Sequence, residues 1–245
     1  MTHESEMSVF SSRSSPLLVT RRAFVTGALM TAAAPAAMAK LVATGGSSSE
    51  AITESVAGAD VTPLVRQFHT TTESGLGTVV AGGFRFGPLS AVQIYDGQRW
   101  RNAPSMLRPR YQHAAVAFGQ GILVMGGLTV GGAILADAEY FDGAAWTRVA
   151  PMLTPRSMAA AVIYNGFPMV TGGRRVAPLS SVEVFDGKSW QPYPSLVTPR
   201  FGHEAALVDG IPTVKGGAYV APLSTSESFD GTAWFPRATA SKSSL

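Results

Sequence analysis

The sequence predicts an all-β fold, a small β-propeller of about four four-stranded blades. Three observations carry this prediction. Four markers recur in one fixed order, four times over: an Arg, a Gly-Gly pair, an aromatic-Asp-Gly triplet and a Trp. The composition is turn-rich, with 26 Gly and 16 Pro in 245 residues, 46% hydrophobic and only 14% charged. No segment sustains the 3.6-residue period of an amphipathic helix. Self-similarity at a fixed period of this size marks a propeller or a solenoid, in which each unit buries its faces against its neighbours.

The chain opens with a segment that does not belong to that fold. Arg21 and Arg22 stand just ahead of a mildly apolar run, Ala23 to Ala39, which ends in the small-x-small pattern Ala37-Met38-Ala39. The run is rich in Ala, Thr and Gly and is too short and too weakly apolar for a membrane span. Thr20-Arg21-Arg22-Ala23-Phe24 resembles a twin-arginine export signal. The resemblance implies cleavage after residue 39, a mature chain with no membrane span, and a periplasmic or secreted bacterial location. Residues 40–65 read as a linker or an eroded partial repeat, 66–238 as the propeller, and 239–245 as a polar disordered tail.

The markers fix the repeat. Trp100, Trp146, Trp190 and Trp234 are spaced by 46, 44 and 44 residues, and Asp96, Asp142, Asp186 and Asp230 by the same intervals. Gly82-Gly83, Gly126-Gly127, Gly172-Gly173 and Gly216-Gly217 each follow an arginine by 16 positions: Arg66, Arg110, Arg156 and Arg200. Within a unit, "HAAVAF" or "AAAVIY" reads as a first strand and "ILVMGG" or "PMVTGG" as a second. "SAVQIYDG" or "SSVEVFDG" is the third, and the fourth starts at the Trp. Asn165-Gly166, Asp209-Gly210 and the recurrent Asp-Gly supply the positive φ that tight hairpins need. The small Ala-rich first strand suits a crowded centre. The aromatic before each Asp-Gly (Tyr95, Phe141, Phe185, Phe229) and the following Trp are expected to pack between blades.

Arranged as Arg-x-x-His, Gly-Gly, Tyr/Phe-Asp-Gly and Trp, residues 66–237 resemble the kelch repeat. Kelch propellers usually have more than four blades. A self-closed ring of four, a ring completed by the eroded unit, or two arcs pairing (a monomer or a homodimer) are all open, and the closed ring of four is the expectation.

The resemblance and the topology together suggest where a ligand would sit. In an up-down blade, the loops from strand two to three share a face with the connections from strand four to the next blade. That face is expected to gather Arg66, Arg110, Arg156 and Arg200, with His69, His113 and His203, plus Arg85, Arg174 and Arg175; the third unit carries Met158 where the others have His. Such a face suits an acidic glycan or an acidic protein partner, because Arg offers carboxylates a bidentate grip. The competing reading is that the repeated Arg and His are tied to neighbouring backbone carbonyls or carboxylates. Gln93, Glu139, Glu183 and Glu227 of the third strands recur and read as structural. Residues that break the repeat are Glu73, Glu204 and Lys215. Glu204 is the candidate general base of an alternative reading, a sugar-acid mutarotase or epimerase of the sialic-acid type, in which Arg200 and Arg174 hold the sugar carboxylate.

Composition narrows these classes. With no Cys, a disulfide scaffold, a thiol nucleophile and the Tyr–Cys cofactor of kelch-type radical copper oxidases are excluded. The histidines, at most one per unit, lack metal-ligand spacing, so no metal and no cofactor is expected. A net charge of +3 without a basic stripe gives no reason to expect nucleic acid.

Overall fold

A computed structural model describes residues 61–237. The export signal, the eroded unit up to residue 60 and the terminal tail lie outside the described residues. Sixteen short strands form four antiparallel sheets, each in the order first-second-third-fourth. The first blade holds β1 (Thr70–Ser74), β2 (Gly77–Ala81), β3 (Val92–Tyr95) and β4 (Trp100–Ala103). The second holds β5 (Ala114–Phe118), β6 (Gly121–Met125), β7 (Ala138–Phe141) and β8 (Trp146–Val149). The third holds β9 (Ala160–Tyr164), β10 (Phe167–Thr171), β11 (Val182–Phe185) and β12 (Trp190–Tyr193). The fourth holds β13 (Glu204–Val208), β14 (Ile211–Lys215), β15 (Ser226–Phe229) and β16 (Trp234–Arg237). One 3-10 turn, Val130–Gly132, occupies the two-residue insertion of the second unit.

Turn chemistry sets the hairpins. Asn165 and Asp209 adopt φ of 51° and 54°, each followed by a glycine that is also left-handed. At the other hairpin the Asp side chain closes the turn. Asp186 Oδ1 accepts from the amides of Lys188 and Ser189 at 2.7 Å each, and Asp96, Asp142 and Asp230 repeat the arrangement. Those amide donors hold the four carboxyls below the usual range, so this rim stays ionised.

The core lies between blades rather than within them. Val79, Val92, Ile94 and Met106 of the first unit pack against Ile122, Val124, Phe141 and Trp146 of the second, and the pattern repeats across the two following seams. Phe141 stacks on Trp146 at 4.9 Å. Two of the indoles also tie back to the preceding unit: Trp146 Nε1 donates to Pro104 O at 2.8 Å and Trp190 Nε1 to Ala150 O at 2.9 Å, whereas the buried Trp234 Nε1 has no such acceptor among the described residues. The Gly-Gly pair exists for the same contact. A Cβ on Gly126 or Gly172 would lie 2.4 or 2.5 Å from the backbone oxygen of the next blade's arginine, and both residues have positive φ.

The innermost strands pack in succession, β1 on β5, β5 on β9 and β9 on β13, and no contact of that extent joins β13 back to β1. Among the described residues the four blades therefore form an arc, in place of the expected self-closed ring of four. The end faces differ from the seams accordingly. Trp100 at the front of the first blade is only half-buried, whereas Trp146, Trp190 and Trp234 are buried. Lys215 at the back of the fourth blade is exposed.

Candidate functional site

Two sets of loops emerge at opposite ends of the strands. The second-to-third loops and the connections between blades share one end, and small bridges knit them there: Gln67 with Phe84, Tyr111 with Leu128, Ser157 with Arg174 and Phe201 with Ala218. This loop face is where the sequence places the cationic residues, and the structure separates those residues into two groups.

The arginines that open the first strands lie beneath the face, not on it. Arg110, Arg156 and Arg200 are at most 1% exposed and Arg66 is 7% exposed. Arg110 Nη1 donates to Gly126 O at 2.9 Å and to Asp137 O at 3.1 Å, and Nη2 donates to Glu139 Oε1 at 2.5 Å. The other oxygen of Glu139 accepts from the amide of Leu107 at 2.7 Å. Arg200 makes the equivalent bonds to Gly216 O, Thr225 O and, at 2.6 Å, Glu227. Arg156 does so to Gly172 O, Ser181 O and Glu183. In the first blade the acceptor is neutral: Arg66 Nη2 donates to Gln93 Oε1 at 2.7 Å. Burial depresses the Arg110 and Arg156 pKa values, partly offset by their glutamates, and pushes Arg66, which lacks one, down to about 10. These guanidiniums staple strand two, strand three and the incoming connection, and their Nη donors are occupied by the protein.

The histidines sit in the seams. His113 Nε2 and Thr70 Oγ1 of the preceding blade share a hydrogen bond of 2.9 Å, and His203 Nε2 and Thr171 Oγ1 one of 2.8 Å. Burial, then the nearby Arg200 and Arg156, push His203 down to about 3; burial and Arg110 hold His113 well below its ordinary value. Both are therefore neutral at physiological pH. His69 is half-buried and is lowered by burial and by Arg66. In the third blade the histidine place is taken by Ala159, which abuts Gly173 as His113 abuts Gly127. Met158, assigned to that place from the sequence, instead holds the left-handed position shared with Phe68, Gln112 and Gly202. Among the described residues no three of His, Asp and Glu converge where they could hold a metal ion.

Arg85, Arg174 and Arg175 are exposed on the loop face. Arg85 lies over Phe86 at 5.3 Å, and Arg174 reaches across a seam to lie over Phe201 at 5.5 Å. Glu204 stands opposite Lys215 in the β13–β14 ladder. Arg200, which the mutarotase reading gives to a sugar carboxylate, is buried on Glu227.

A second feature of this face was not read from the sequence. Fourteen large hydrophobic side chains are exposed among the described residues, and ten are here: Val65, Phe68, Leu107, Leu153 and Val197 in the connections, and Phe86, Val130, Val176, Tyr219 and Val220 in the loops. Phe167, Leu207, Ile211 and Phe235 lie elsewhere. Concentrated exposure of this kind marks an interaction surface. The signal in the sequence is an apolar residue at the same loop place in each unit (Phe86, Val130, Val176, Val220), which no buried role requires. The opposite face is acidic, with Glu73, Asp96, Asp142, Asp186, Asp209 and Asp230 against Arg99 and Lys188.

The family model described as Kelch motif matches residues 109–153, the second blade and its flanks. No curated protein matches the chain. The other three units carry the same markers, strand order and buried arginine as the matched one. The chain therefore carries a Kelch motif at 109–153 within a propeller-type all-β fold of four four-stranded blades.

Proposed function

We propose that this protein is an exported interaction module whose loop face takes a protein partner through an acidic segment with apolar side chains. The observation that carries the reading is the coincidence of exposed Arg85, Arg174 and Arg175 with most of the exposed large hydrophobics on one face. The kelch fold supports a protein-binding role in general terms. The aliphatic tips Val130, Val176 and Val220 favour a peptide over an acidic glycan, which would be held by polar groups and aromatic platforms.

The test uses two immobilised probes, an acidic peptide containing Leu and Phe, and the polyuronate alginate as the acidic glycan. The protein is expected to bind the peptide with salt-sensitive affinity. Arg85→Glu with Arg174→Glu and Arg175→Glu is expected to weaken binding by about tenfold or more, and Val176→Ser with Val220→Ser to weaken it at constant salt dependence. Equal binding by all variants, or binding to alginate alone, would remove the proposal.

Export rests on the twin-arginine resemblance at Arg21 and Arg22. Arg21→Lys with Arg22→Lys is expected to leave the protein in the cytoplasm as uncleaved precursor, read by fractionation and mass. Unchanged export of the double variant would overturn that assignment.

A further inference from the structure

Both internal seams that carry a histidine obey one rule of register. The histidine reaches back to a threonine on a cross-strand pair of the preceding blade, where the first strand starts and the second ends. His113 meets Thr70, which is paired with Ala81; His203 meets Thr171, which is paired with Ala160. At the middle seam both elements are missing together, since the pair is Ala114 with Met125 and the residue facing it is Ala159. Two places then remain without a counterpart among the described residues. One is His69 at the front of the first blade. The other is the pair Glu204–Lys215 at the back of the fourth. The chain does not bring them together, because β13 and β1 are not packed on one another as the other inner strands are.

The two end faces match in character. At the back of the fourth blade, half-buried Thr213, exposed Lys215 and half-buried Ser226 replace Val79, Ala81 and Val92 of the first blade, and buried Ser228, bonded to Thr213, replaces Ile94. At the front of the first blade, Thr71 and Tyr95 stand where the second has Ala115 and Phe141. A surface that is exposed in the free chain and covered on association is more polar than a permanent core. By the register of the internal seams, the pair that comes opposite His69 is Glu204–Lys215, and its acceptor is the Glu204 carboxylate, in the place that Thr70 holds in the first blade.

We propose that the back of the fourth blade seats on the front of the first blade of a second copy of this chain, with the His69 ring hydrogen-bonded to Glu204. Joining two different faces in this way closes a pair when the contact is made twice, which gives one ring from two arcs.

The absence of cysteine allows a direct test. His69→Cys and Glu204→Cys are prepared separately, mixed, and treated with a short bismaleimide. A two-chain product is expected from the mixture and not from either variant alone. Light scattering of the unmodified protein is expected to give the mass of two chains. Glu204→Lys, which sets a second cation beside Lys215, is expected to raise the dissociation constant by about tenfold or more with unchanged circular dichroism. A one-chain mass for the unmodified protein at tens of micromolar overturns the proposal. So does cross-linking within one chain in the double variant with none between chains, since the arc would then be closing on itself or on its own leading residues. Failure here leaves the loop-face reading intact, because the peptide assay does not depend on the seam.

Discussion

Arg110→Met is expected to destabilise the protein by about 3–5 kcal/mol in urea unfolding. The substitution leaves the Glu139 carboxylate, 1% exposed, with the Leu107 amide but without its cation, and strips the Gly126 and Asp137 carbonyls of their shared donor. The cost is that of an unpaired buried charge together with unmade hydrogen bonds, not the net value of the pair. Glu139→Gln is expected to cost far less, because the first blade already runs with Gln93 in that place at 2.7 Å from Arg66. Equal losses for the two variants would show that charge neutralisation, rather than the geometry of the staple, sets the stability of a blade.

Trp190→Ala is expected to cost about 3–5 kcal/mol by cavity formation in the seam between the second and third blades. Trp190 is 3% exposed, packs with Leu123, Met125 and Phe185, and donates to Ala150 O. Trp190→Phe keeps part of the buried area and should recover part of the loss. Trp100→Ala is the internal control. It is half-buried, so in dilute solution its loss should be well below that of Trp190. If both cost the same in dilute solution, the front of the first blade is covered within one chain, and the arc is not open at that end.

The repeat was legible because its markers answer to local demands. Asp-Gly is written where a two-residue turn needs positive φ, Gly-Gly where backbone meets backbone, and Trp where one blade leans on the last. The role of Arg110, Arg156 and Arg200 was not legible to the same degree. Sequence position places them at the loop-face end of a strand, but it does not say whether a long side chain turns outward to water or inward along the blade. The partner that decides this, Glu139, Glu183 or Glu227, lies 27–29 residues away and was recognised only as recurrent. Met158 was misassigned because a histidine place and a left-handed place lie side by side, and only φ tells them apart. The choice between ring and arc is not legible for a related reason: a closed ring and an open one use the same repeat, and the polar residues Thr213 and Ser226 that mark an end face read as ordinary strand residues until the direction of the face is known.

Among the described residues, inner-strand packing runs from each unit to the next, as in a short one-dimensional array. Its free energy is then close to a sum of unit contributions and junction contributions, and no single contact sets its size. Duplicating one 44-residue segment would lengthen the array by a unit and a junction while leaving every existing junction within the chain as it was, so that only the closure between the two end faces would have to adjust.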